Sequence, residues 1–219
     1  YIAEKYKEEN FGISQEELNQ YFPVEKDITG IFNLVKSLYG IEVKLKKTKE
    51  VWHEDVRLYE IFDRNKKLRG KFYFDLYARQ NKRGGAWMDE CIQRRKKLSG
   101  SIQSPVAFIT CNSSPPSKTN PAFFTHYDVE TLFHEFGHGL QHMLTTVNYA
   151  GISGISGVEW DAVELPSQFM ENWCWEKDVL DTFAFHYKTK KKLPNSLFKK
   201  LLATKNYNTG LALLRQIEF

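Results

Sequence analysis

The segment His134-Glu135-Phe136-Gly137-His138 constrains this chain more than any other feature. It is an H-E-x-x-H pattern set inside an apolar run. Val129, Leu132, Phe133, Phe136, Leu140, Met143 and Leu144 recur at spacings of three and four, which predicts a helix over 128–147 with Asp128 as N-cap. Two histidines four residues apart project from one helix face, with Cβ atoms roughly 6 Å apart. Both imidazoles can then reach one ion at about 2.0–2.1 Å. Glu135 falls beside such an ion rather than on it, where a carboxylate can deprotonate a bound water. The competing reading is two solvated histidines flanking a glutamate. The apolar character of the helix weighs against it, because a buried Glu among histidines needs a partner or an ion.

A hydrolytic zinc takes a third protein ligand and leaves one position for water. The longer pattern with a His six residues after the second His is excluded, because Leu144 stands there. His142 shares the face of His138, but three consecutive histidines on a straight helix cannot converge tetrahedrally, so His142 is expected to be packed or at the surface. A better source of the ligand is the stretch 159–171. If residues 162–178 form a helix, Asp161, Glu164, Gln168 and Glu171 fall on one stripe, flanked by Trp160, Val163, Phe169 and Trp173. Such a stripe is either a solvated acidic face or faces something electropositive. Glu164 sits in its middle, and Asp161 and Glu171 are candidates to hydrogen-bond the ligand imidazoles. Pro166 must occupy a first turn or a kink.

The rest of the chain supports a mainly α fold with a small β-sheet. Residues 14–38 read as two short helices divided by Pro23, with Ser14 as a cap and Gly40 as the stop. Alternation at Ile41, Val43 and Leu45, the stretch 56–62, and the aromatic run 71–78 suggest strands. Gly84-Gly85 marks a turn. Residues 87–97 end in Arg94-Arg95-Lys96-Lys97 and read as a helix with a cationic last turn. A strand is expected over 104–111 and a loop over 113–120. Val106, Ala107 and Phe108 on that strand are candidates for an edge that pairs with substrate backbone, with an ordinary core strand as the alternative. The glycine-rich stretch 151–157 lacks the context of a phosphate loop. Gly154 within it would permit close backbone approach near the site. Further helices are expected over 181–187, 194–204 and 208–219.

Composition excludes other classes. No apolar window is long enough to span a membrane, so no membrane partner is expected. Three cysteines, Cys91, Cys111 and Cys174, form no CxxC pair, which argues for a reducing compartment and a cytoplasmic location. The net charge of +4 comes from 31 basic and 27 acidic residues, so the basic runs read as solvated surface and no nucleic-acid partner is expected. The chain lacks an initiator Met and stops within an amphipathic segment, which suggests part of a longer polypeptide; a monomer is expected.

The run 134–138, followed by Ser-Gly-Ile-Ser-Gly-Val-Glu-Trp-Asp-Ala-Val-Glu-Leu-Pro-Ser-Gln-Phe-Met-Glu-Asn-Trp, resembles the thimet oligopeptidase and dipeptidyl carboxypeptidase family of zinc metallopeptidases. The stretches 71–79 and 125–133 resemble it as well. The resemblance implies a zincin-like, thermolysin-like catalytic core that is incomplete here. It implies one Zn2+ per chain held by His134, His138 and Glu164, the last following the second His after 25 intervening residues. It also implies Glu135 as general base and short peptides as substrates. Family members carry a helical N-terminal part and a C-terminal segment rich in Gly, His and Tyr that grips substrate and oxyanion. Residues 1–219 would then be the central catalytic portion without those parts, weakly active or inactive alone. The alternative is a non-catalytic metal- or peptide-binding fragment.

Overall fold

The computed structural model describes residues 2–218. Along the described chain three α-helices precede seven strands and five α-helices follow them, mainly α with a small mixed sheet. Helix α1 (Ile2–Phe11) precedes α2 (Gln15–Asn19), whose cap is Ser14: its hydroxyl accepts the Glu17 N–H. Helix α3 (Val24–Tyr39) starts after Pro23 and stops at Gly40, which takes φ +67, a left-handed conformation open to glycine. Strands β1 (Glu42–Lys46), β2 (Arg57–Phe62) and β3 (Leu68–Tyr77) follow as an antiparallel meander.

Residues 87–97, expected to be helical, are strand instead. They form β4 (Trp87–Ile92) and β5 (Arg95–Lys96), which pairs with β6 (Ile102–Gln103). Their basic side chains do not face a helix C-terminus: Arg94 Nε donates to Asn148 Oδ1 and the Lys96 amide donates to the Asn148 carbonyl. Pairing with β7 (Val106–Ser113), remote in sequence, overrides the local pattern. The main sheet runs β1-β2-β3-β7-β4, with β3 and β7 parallel and the other pairs antiparallel. Strand β7 is therefore interior. The expectation that Val106, Ala107 and Phe108 line a free edge does not hold, because β3 and β4 take their backbone groups on both sides. The free edge on that side belongs to β4.

Helix α4 (His126–Leu144) lies across the sheet. A Cβ on Gly139 would stand 2.9 Å from Ile109 Cδ1, and one on Gly70 would stand 2.9 Å from Met143 Cβ. An aromatic cluster of Phe32, Tyr59, Phe72, Phe74 and Phe136 fills the space between α3, the sheet and α4. Rings this size bury large area and favour the offset and edge-on contacts seen here.

The single helix expected over 162–178 is broken. Residues 161–164 are turns, followed by α5 (Leu165–Glu171), a 3-10 turn over Asn172–Trp175, and α6 (Lys177–Leu180). Pro166 sits in the first turn of α5, where its missing N–H costs nothing. Residues 181–187 are turns closed by a Phe185–Lys192 bridge rather than a helix. Helices α7 (Asn195–Ala203) and α8 (Thr209–Ile217) end the described chain, and Phe219 of the expected last helix lies outside it. No described helix is long and apolar enough to cross a membrane. All three cysteines are free thiols.

Candidate metal centre

Helix α4 carries the H-E-x-x-H pattern, and its start is set by a reciprocal cap. Thr125, not Asp128, is the N-cap: its hydroxyl accepts the Asp128 amide at 3.0 Å, and Asp128 Oδ2 accepts the Thr125 amide at 2.8 Å. Ser113 Oγ, at the end of β7, donates to the other Asp128 oxygen. Inside the helix, His126 is buried, and burial pushes its imidazole down to about 4. The neutral ring donates from Nε2 to the Cys174 carbonyl and so ties α4 to the turn after α5.

Gly137, between the two ligand candidates, brings in the third. A Cβ there would stand 2.5 Å from the Pro166 carbonyl and 2.6 Å from Ser167 Cα. Only a glycine allows α5 to lie this close to α4. Glu164, just before α5, then meets both histidines: its Oε2 is 3.2 Å from His134 Nε2 and 3.1 Å from His138 Nε2. Ligand atoms held tetrahedrally at about 2.0–2.1 Å from one ion are separated by roughly 3.3 Å, which the two Glu164 distances match. Among the described residues these three form the one His/Cys/Asp/Glu group whose donor atoms lie close enough together to share an ion.

Neighbouring groups orient the donors. Glu171 Oε1 is 2.5 Å from His134 Nδ1, so a proton on Nδ1 leaves the Nε2 lone pair facing Glu164. Ser167 is buried, and its hydroxyl donates to Glu164 Oε2 at 2.8 Å. Nothing in the sequence marked Ser167 except its spacing three residues after Glu164. Burial lowers the pKa of His138, with the Glu164 carboxylate opposing the fall. Asp161 is exposed in the turn before α5 and makes no hydrogen bond or ion pair with either imidazole. The helical stripe that joined it to Glu164 and Glu171 does not exist, because the chain enters the helix only at Leu165.

Glu135 is buried beside the triplet. Burial raises its pKa, with the Glu164 charge adding to the rise and His134 and the Met88 amide opposing it. A cleft of about 380 Å³ opens at His134 and Glu135, lined also by Ala86, Tyr127, Glu130, Thr131 and Glu171. Gly154 is buried with φ +69 and packs against His142 of α4 rather than opening onto that cleft.

A family model described as "Peptidase family M3" matches residues 1–219. Over its whole length the chain is 57% identical to oligopeptidase A from Escherichia coli, of which it covers 32%. It is 45% identical over 99% of its length to a protein of Arabidopsis thaliana named probable cytosolic oligopeptidase A, again covering 32%. Similarity extends to saccharolysin of Saccharomyces cerevisiae, at 35% identity over the whole chain and 32% of that protein. The chain thus spans about a third of the length of these curated relatives.

Proposed function

This chain belongs to peptidase family M3, and from that premise we propose that it is the zinc-binding catalytic portion of an oligopeptidase that hydrolyses short peptides in the cytoplasm. The observation that carries the reading is the approach of Glu164 Oε2 to both His134 Nε2 and His138 Nε2, with buried Glu135 alongside. His134, His138 and Glu164 would hold the ion. Zinc bound there supplies Lewis acidity and acidifies a water to a pKa of about 7.

The chain's own groups do the rest. Glu171 fixes the tautomer of His134, and Ser167 orients the ligand oxygen of Glu164. Glu135, its pKa raised by burial, takes a proton from the attacking water and returns it to the leaving amine nitrogen. A helix bearing the ligands, packed across a mixed sheet whose edge strand borders the site, supports a zincin-like core. Strand β4 pairs with β7 on one side only, so its other side can accept an extended peptide beside Glu135.

The test is Glu135→Gln in the full-length protein that carries this chain. Cleavage of an internally quenched peptide should fall by at least ~10²-fold, the lower reach of general base catalysis, while zinc content stays at one per chain. Unchanged cleavage would remove Glu135 from its assigned role. Absence of zinc in the parent would remove the metal reading altogether.

A further inference from the structure

We propose that His142 is a positioning residue that donates its Nε2 proton to the Ile92 carbonyl and thereby fixes the edge strand β4 against the metal-bearing helix α4. The inference rests on the reading of β4 as the strand that accepts substrate. His142 lies one turn beyond His138 and two turns beyond Glu135, on the same face of α4 as both. It is fully buried, at 0% exposure. Its Nε2 is 3.0 Å from the Ile92 oxygen. A carbonyl can only accept, so Nε2 carries the proton, and in the neutral ring Nδ1 does not.

The ring is enclosed from behind. Nδ1 has no hydrogen-bond partner among the described residues. A Cβ on Gly154 would stand 2.7 Å from Nδ1 and 2.8 Å from the His142 carbonyl, and Gly154 also holds φ +69. The glycine loop therefore presses directly on the imidazole, at a position no other residue could take without displacing it. His142 sits where three elements meet: α4, β4 and this loop.

Ile92 is the point on β4 that needs such a support. The ladder with β7 slips between Glu90, opposite Ala107, and Ile92, opposite Val106. Cys91 is thus an extra residue, and a bulge of this kind bends its strand and takes backbone groups out of the ladder. His142 supplies the partner for the Ile92 oxygen. On the outer side, Ser156 Oγ donates to Glu90 Oε2 at 2.6 Å, and Gln93 Nε2 donates to Ser156 Oγ at 2.9 Å. Gln141 Nε2 donates to the Gly154 carbonyl. A histidine serving as apolar filler would need neither a carbonyl at one edge nor a glycine at its back.

The test uses two variants of the full-length, zinc-loaded protein. His142→Gln keeps an N–H donor at nearly the reach of Nε2, whereas His142→Leu removes it at similar volume. His142→Leu should raise KM for an internally quenched peptide about tenfold, the worth of one buried hydrogen bond, with kcat and zinc content within about twofold of the parent. Amide exchange in Trp87–Ile92 should quicken by about the same factor, because local opening of the strand loses the same bond. His142→Gln should restore both readouts. Parental KM and exchange in His142→Leu would overturn the proposal, as would a His142→Gln variant as impaired as His142→Leu. A fall in kcat and zinc content at unchanged KM would also overturn it, being the mark of a damaged fold. If the parent cleaves no peptide, the functional reading fails by itself, and amide exchange at Trp87–Ile92 still decides whether His142 braces the strand.

Discussion

Individual side chains here are held by partners that differ in how far the sequence reveals them. The pair His134 and His138 was legible from a spacing of four on an apolar helix, since that geometry is local. Ser167 was not, because a hydroxyl three residues after Glu164 means nothing until the turn before α5 folds it back. We expect Ser167→Ala to weaken zinc binding by about 10–100-fold, the usual effect of removing a group that orients a ligand. Competition against a chelator measures it, and parental affinity would rule the orienting role out. Asp27 of α3 is a second case. It is fully buried, and neither carboxylate oxygen has a partner among the described residues. Burial pushes its pKa well above the usual range, with the Asp128 charge adding to it. A proton is therefore retained on folding. That contribution to stability is complete below the unfolded-state pKa of about 3.9 and is lost as pH rises through the folded value. Asp27→Asn stays neutral at every pH and should stabilise the fold at pH 8 by on the order of 1 kcal/mol relative to its effect at pH 4. Thermal unfolding at the two pH values reads the difference, and equal shifts would show that Asp27 is not protonated in the fold.

Among the elements, α4 and the strands β3 and β7 beneath it were predictable, and β4 and α5 were not. Apolar periodicity fixed the helix, but both ends moved: the start from Asp128 to a cap at Thr125 that shares its bonds with Asp128, and the end from 147 back to Leu144. Strand β4 was misread because a short segment ending in four basic residues fits a helix as well as a strand. Hydrogen bonds to β7 decided between them. The same limit broke the acidic stripe: Asp161 and Glu164 lie in turns, so their offsets of three and four carry no helical meaning. Contact between α4 and α5 depends on Gly137. Gly137→Ala should push α5 away, destabilise the chain by about 1–3 kcal/mol as overpacking does, and reduce zinc affinity, because Glu164 moves with α5. Calorimetry with and without zinc tests both parts. An alanine variant with parental stability and zinc binding would show that the two helices can separate without cost.

For the molecule as a whole, the loop before β4 is tied to the sheet through Asp75, near the end of β3. Burial alone would raise its pKa, but Arg79, Lys82 and the Trp52 indole hydrogen-bond the carboxylate and hold it at about 2. The Lys82 side chain is enclosed and also donates to the Asp75, Tyr77 and Cys111 carbonyls, which pins the loop leading to β4 onto the sheet. With the folded pKa below the unfolded value of about 3.9, this stability is present above pH ~4 and lost as pH falls through about 2. Asp75→Asn leaves the Lys82 charge buried without its counter-ion and should cost about 3 kcal/mol at pH 7. The difference from the parent should shrink toward pH 2 in urea unfolding, and a constant difference across that range would refute the linkage.

The sequence by itself determined helix α4, its two imidazoles and the carboxylate between them, because one helical period relates those residues. It also carried the family resemblance, since that lies in consecutive residues. Tertiary structure alone decided how Glu164 reaches both Nε2 atoms, which strand forms the open edge, and what His142 contacts. Each of these depends on segments distant in the chain being brought together: Glu164 by the absent Cβ of Gly137, β4 by its ladder with β7, and His142 by a carbonyl fifty residues before it.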